Sequence, residues 1–361
     1  MSDLLYVATR KGLFRYERDT AGWRIADVAF VGEPVSAVLP DPRDGTIYCA
    51  LNLGHFGVKL HRLEAAGAQW HEVAVPVYPA RPAPDDGPDW TLEQIWCLEA
   101  GGPDQPGRLW AGTIPGGLFR SDDRGETWTL VRSLWDRPER NRWVGGGYDR
   151  PGIHSIAIDP RNANHLTVAV SCGGVWQSHD GGESWNVTSD GLRAAYLPPE
   201  MAHDPILQDP HRLVQCAAEP ERMWIQHHNG VFTSTDGGRH WTEIEHIEPS
   251  TFGFAVAAHP DDPHSAWFVP AVKDECRVPA NGAVVVTRTR DGGASFETLR
   301  NGLPQSHAYD LVYRHALAID TSGKRLAMGS TTGSLWITED QGDHWQSLSS
   351  NLPPVHALRF A

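Results

Sequence analysis

No stretch of the 361 residues approaches the ~18 consecutive apolar residues that a membrane-spanning helix needs. The opening residues, MSDLLYVATRKGLF, have no basic segment followed by a long apolar core, so no secretory signal is expected. Cysteine is scarce: Cys49, Cys97, Cys172, Cys216 and Cys276 are odd in number, far apart and without a CxxC pair. Such a set reads as free thiols in a reducing compartment, and a cytoplasmic location is expected. Basic runs are also missing. Against 31 Lys and Arg stand 45 Asp and Glu, a net charge of -14 that argues against nucleic acid or an anionic membrane as partner. A long amphipathic helix is missing as well.

What the chain does have is glycine, proline and a repeat. There are 36 Gly and 27 Pro. The segment SDDRGETW ends at Trp128, SHDGGESW at Trp185, STDGGRHW at Trp241, TRDGGASF at Phe296 and TEDQGDHW at Trp345. Two worn copies precede them and end at Trp23 and Trp70, so the terminal aromatics recur every 47 to 58 residues. Units of about fifty residues indicate a propeller or a solenoid. Within one unit, GIHSIAIDP, HLTVAVSC, GGVWQS and SWNVTS read as four short strands separated by turns. Four strands per unit with closure make a propeller blade. The first unit lacks an inner strand, and VHALRF near the C-terminus supplies one. The expectation is therefore all-β: one seven-bladed propeller over residues 1–361, blade 1 being built from residues 1–30 plus 354–361. Ring closure then removes open sheet edges.

The pattern Ser/Thr-x-Asp-x-Gly-x-x-Trp/Phe resembles the Asp-box, or BNR repeat, of sialidase-like propellers, and the resemblance covers essentially the whole chain. It implies an architecture. Families that share it include sialidases, xyloglucan-cleaving glycosidases, sortilin-type receptors and a photosystem II assembly factor, so function has to come from the site. The repeated residues themselves read as architecture. The glycines supply positive φ, the Asp (Asp122 or Asp123, then Asp180, Asp236, Asp291 and Asp340) accepts from the turn backbone, and the aromatic residue packs against a neighbouring blade. Asp19 in blade 1 is assigned no functional role.

Strand direction alternates, so these turns lie at one end of the propeller. The second-to-third turns and the blade-to-blade links lie at the other. The links comprise residues 77–94, 142–152, 191–211 and 303–315, and the unusual turns are QHHN and VKDECRVPANG. Site residues on loops above a rigid scaffold are the usual arrangement. The inner strands IHSIAID, RHALAID and VHALRFA place His154, His315 and His356 at one slot, at the mouth of the channel, where blades 2, 3 and 6 have Ser36, about Gln94 and Phe254. Three histidines there, with His227 or His228 as a replacement for one of them and Glu200, Asp204 or Glu275 as the carboxylate, form a candidate site for a divalent transition metal (Zn, Mn or Fe). Otherwise they hold water and one another.

Candidate catalytic residues are His227, His228, Glu200, Glu275, Lys273, Tyr309 and Arg314. An adjacent His pair in an extended segment points to opposite faces, so at most one of His227 and His228 meets a ligand. Lys273, Asp274 and Glu275 make either a charged turn or a substrate clamp. Arg314 binds an anionic group or pairs with Asp310. Tyr148, Tyr196, Tyr309, Trp90 and Trp96 stack on a planar ligand or pack the loops. This inventory favours a hydrolase or lyase acting on a small polar substrate, metal-assisted in the manner of the antibiotic-linearising propeller lyases, which it resembles. A non-catalytic binding or assembly scaffold is the alternative. A sialidase-like glycosidase is disfavoured, because the Phe/Tyr-Arg-Ile-Pro motif is reduced to WRIA at 23–26 and sialidases use six blades.

Overall fold

The computed structural model describes residues 1–80 and 90–361. Part of the 77–94 link lies outside that range. The described residues form seven antiparallel sheets of four strands, consecutive in sequence except in blade 1, whose first strand comes from the C-terminal end; blade 6 adds a fifth short strand, Cys276–Pro279. No helix is long and apolar enough to cross a membrane among the described residues.

The inner strands are Val355–Phe360 (blade 1), Val35–Pro40, Gln94–Ala100, Ile153–Asp159, Pro210–Gln215, Gly253–Ala258 and Leu317–Ile319 (blade 7). Each touches the next around a closed ring. Blade 1 is completed as the sequence predicts: Val355–Phe360 pairs with Leu4–Thr9, which pairs with Gly12–Asp19.

The Asp turns recur in one geometry. In blade 4 the Ser178 hydroxyl donates to Asp180 Oδ1 at 2.8 Å and accepts from Gly182 N at 2.8 Å. Asp180 in turn accepts from Ser184 N at 2.9 Å. Gly181 and Gly182 sit at φ +74° and +93°, where a side chain would be strained. In blade 3 the acceptor is Asp123, at 2.8 Å from Ser121 Oγ, while Asp122 pairs with Arg108 at 2.6 Å. The aromatic that follows packs across the blade boundary. Trp241 of blade 5 is 1% exposed and donates to Thr188 O of blade 4 at 2.9 Å.

Candidate functional site

The other end of the propeller carries a second repeated device. Pairing between first and second strands skips one residue in blades 2 to 5: Ser36, Trp96, His154 and His211. It skips Phe254 and Ala255 in blade 6, and His356 in blade 1. Blade 7 places His315 at the same height, through a bridge to Ala357. A bulge re-aims its side chain, so a ring of bulged side chains surrounds the top of the channel. Two of these the sequence pattern misses. PHRLVQ of blade 5 matches VHALRF, and its histidine is His211. In blade 3 the skipped residue is Trp96, two places beyond Gln94.

Above the ring lies a cavity of about 940 Å³ whose lining comes from every blade except blade 5. Ser36, Gln94, Trp96, His315 and His356 line it, with Tyr148 and Tyr313 from the links. His154, Phe254 and His211 stand behind that wall: His154 packs on Trp96 at 5.4 Å, and His211 stacks on Phe254 at 4.4 Å. Arg10, Arg277 and Arg314 line the cavity, against Glu33 as the single acid among the described lining residues. A chain with net charge -14 thus presents a basic cavity.

Arg314 is the most unusual of these groups. It is 7% exposed, and its guanidinium lies 5.0 Å from the Trp96 ring and 5.3 Å from the Phe254 ring. Its Nε has no hydrogen-bond partner, and no described carboxylate pairs with it. Asp310 does not serve, because it accepts instead from Ser330 Oγ at 2.7 Å and from Thr332. Desolvation lowers the Arg314 pKa while the Asp209 carboxylate works against that shift, and the guanidinium remains a cation. By contrast, Arg277 is paired with Asp274, 3.0 Å from Nε.

Hydrogen bonds fix the histidine tautomers. His356 Nδ1 donates to Val35 O at 2.9 Å, which leaves Nε2 with a lone pair. His315 Nε2 donates to His154 O at 2.7 Å, which leaves Nδ1 bare. Burial lowers the pKa of both, so both rings are neutral near pH 7. A neutral, oriented imidazole at a cavity wall is a competent general base.

The remaining predicted residues scatter. His154 is fully buried with Nε2 unpartnered. His154, His315 and His356 do not gather on one point; among the described residues the set that does is Asp209, His211 and His228. His227 is fully buried and accepts from Asp209 N at 3.1 Å, away from the cavity. Glu200 is exposed on its link. Lys273 and Glu275 pair with each other at 3.5 Å on an exposed turn, and Tyr309 is 65% exposed. None of these four lines the cavity. Asp204 pairs with Arg142 at 2.5 Å.

No family model matches the chain. A probable oligoxyloglucan-reducing end-specific xyloglucanase of Neosartorya fischeri is 24% identical over 298 residues, 72% of this chain. The chain spans 32% of that protein's length. Among solved structures, the GH74 xyloglucanase of Xanthomonas campestris aligns over 100% of this chain and 52% of its own, at 19% identity and TM-score 0.64. YCF48 from Cyanidioschyzon merolae aligns over 89% of this chain and 87% of its own, at 14% identity and TM-score 0.55. At these identities the likeness is one of fold: a seven-bladed propeller.

Proposed function

We propose that the protein is a hydrolase or lyase that takes a small polar substrate bearing a carboxylate or phosphate into the central cavity. Arg314 supports this reading more than any other feature. A buried cation held between two rings, with Asp209 acting on it only from beyond ion-pair distance, is costly unless a ligand supplies a direct counterion. The substrate anion would complete Arg314, and Trp96 and Tyr148 would flank a ring or hydroxylated chain. His356, neutral with Nε2 bare, would take a proton from water or from the substrate carbon beside the anion.

A second reading is a glycosidase acting on neutral oligosaccharide. The names of the similar xyloglucanases and the aromatic cavity wall favour it. Glycosidases of the usual kind use two carboxyl groups roughly 5 to 9.5 Å apart, and the described cavity wall offers Glu33 alone.

The two readings separate in one experiment. Oligogalacturonate and xyloglucan oligosaccharides are incubated with wild type and Arg314→Met, and products are followed by mass spectrometry. Turnover of the acidic substrate that disappears in the variant supports the proposal. Turnover of the neutral one alone, unchanged in the variant, favours the glycosidase. Binding of either without product favours a scaffold.

A further inference from the structure

Blade 5 gives nothing to the central cavity, yet its top holds a set of side chains that the reading above leaves unused. Asp209 and His211 flank the first residue of the inner strand Pro210–Gln215. His228 stands on the turn between the strands Met223–His227 and Gly230–Ser234. Pairing of Pro210 with His227 brings the two segments together, and His228 N donates to Asp209 O at 3.0 Å. Asp209 Oδ2 then lies 3.2 Å from His228 Nδ1 and 3.6 Å from His211 Nε2. The three ligand atoms all lie within 4.8 Å of one another.

His228 Nδ1 is within hydrogen-bond distance of Asp209 Oδ2 at 3.2 Å, but a hydrogen bond does not account for His211. His211 Nδ1 lies 2.7 Å from Gly253 O, an acceptor, so Nδ1 carries the proton. In a neutral ring Nε2 is then a lone pair turned toward a carboxylate, with the two residues' side chains only 2% and 4% exposed. Two acceptors face each other in a dry place, and a cation between them resolves the conflict. The spacing suits a metal better than a proton. A charge-assisted N–H···O bond closes to about 2.7–2.9 Å. Two ligands each about 2.0–2.2 Å from one metal stand roughly 3.0–3.6 Å apart, which brackets both observed separations.

We infer that Asp209, His211 and His228 form a site for one first-row divalent transition metal of the zinc or iron(II) class, distinct from the central cavity. Two imidazoles and one carboxylate suit those ions and leave coordination positions open. The supporting shell is present. Gly253 O fixes the His211 tautomer, Cys172 N donates to Asp209 Oδ1 at 3.2 Å, and His227 holds the Asp209 backbone. Such outer contacts orient metal ligands. Cys172 itself sits at φ +46°, an uncommon conformation for a non-glycine residue, beside this carboxylate. His228, with a side chain 24% exposed, gives the ion a route from solvent. The inference rests on neither Arg314 nor His356.

The test uses the full chain stripped by a chelator and titrated with Co²⁺ alone, followed by visible absorption and calorimetry. One equivalent should bind, with the ligand-field bands of a four- or five-coordinate site. His228→Gln, on a half-buried turn, and His211→Gln should each weaken binding by about 100-fold or more, since even outer-shell changes cost 10–100-fold. Circular dichroism and thermal unfolding establish that both variants are folded. His356→Gln, in the cavity wall, should bind Co²⁺ as wild type does. Substoichiometric binding by wild type overturns the inference. So does unchanged affinity in both blade 5 variants, the result expected if Asp209 and His211 share only a proton. Because no substrate enters the measurement, failure here leaves the role of Arg314 untouched.

Discussion

His315 of blade 7 donates from Nε2 to the main-chain carbonyl of His154 in blade 4, 2.7 Å away. In the ring of inner strands these blades are not neighbours, so the bond spans the channel. It fixes the His315 tautomer, withdraws Nε2 from metal binding and closes the channel beneath the cavity. Arg212 Nη1 reaches the same carbonyl at 3.2 Å. Of the slot's histidines, His315 and His356 line the cavity, while His154 and His211 stand behind its wall.

The first prediction follows from the lack of a direct ion-pair partner for Arg314. Arg314→Met should weaken binding of a small anion such as glucuronate by about 10- to 100-fold, the worth of a hydrogen bond to a charged group. The thermal midpoint should change little, because the substitution removes the cost of burying the cation together with its attraction to Asp209. Calorimetry and a thermal scan on the same samples check both halves. Falling stability with unchanged binding would mean that Arg314 is a structural group.

Legibility from sequence divides along physical lines. The Asp turns were readable because every contact in them is local and repeated: Ser178, Asp180 and Gly182 lie within four residues. Strand order and ring closure followed from the same period. The slot was readable in part, because a bulge breaks the two-residue alternation that register arguments use. That is why blade 3 presents Trp96 rather than Gln94. His211 was hidden behind a long proline-rich link, although PHRLVQ repeats the pattern of VHALRF. Asp209 joins His228 through strand pairing across 19 residues, which no local motif records. What marks Arg314 is the absence of a direct ion pair, and an absence leaves no motif. Asp310, four residues away, invites a pairing that Ser330 and Thr332 pre-empt.

His154 yields a second prediction, for stability against pH. Burial, followed by the charges of Arg314, His315 and Arg212, holds its pKa well below 6.5. The unfolded chain takes up a proton below about pH 6.5 that the native chain refuses. Stability is therefore complete above that pH and falls below it, by about 1.4 kcal/mol per pH unit for this one group. Urea midpoints measured from pH 7.5 to 5 should fall, and His154→Gln should flatten the slope by one proton. An equal slope in the variant would assign the effect to other groups.

The Asp turns give a third prediction, in a lower window. The Asp180 carboxyl is held down to about 2 chiefly by the Ser184 hydroxyl, and Asp291 is held at about 2 by Ser295. An acid with a depressed pKa stabilises the fold above its unfolded value of about 3.9 and loses that contribution as pH falls toward 2. Asp180→Asn should thus be less stable than wild type at pH 7, and the gap should narrow between pH 4 and pH 2. Tryptophan fluorescence during acid titration measures it. A gap that stays constant would mean that Asp180 acts through shape alone.

The last prediction separates the two ends of QHHNGVFTSTDGGRHW. The strand Gly230–Ser234 lies between His228 and the Asp236 turn. At the turn, Trp241 is buried against blade 4, and Trp241→Ala should cost about 3–5 kcal/mol. Ser234→Ala leaves the buried Gly238 N–H, now 2.9 Å from the hydroxyl, without a partner, at a cost of about 1–3 kcal/mol. The two sites share one turn, so the double variant should lose less than the sum. At the other end, Co²⁺ affinity should be unchanged in Ser234→Ala, because Asp209, His211 and His228 receive no contact from the turn. Urea denaturation and metal titration on one set of proteins decide this. Coupled losses in stability and metal binding would show that the strand transmits strain between its ends, and the two halves of the motif would have to be treated as one unit.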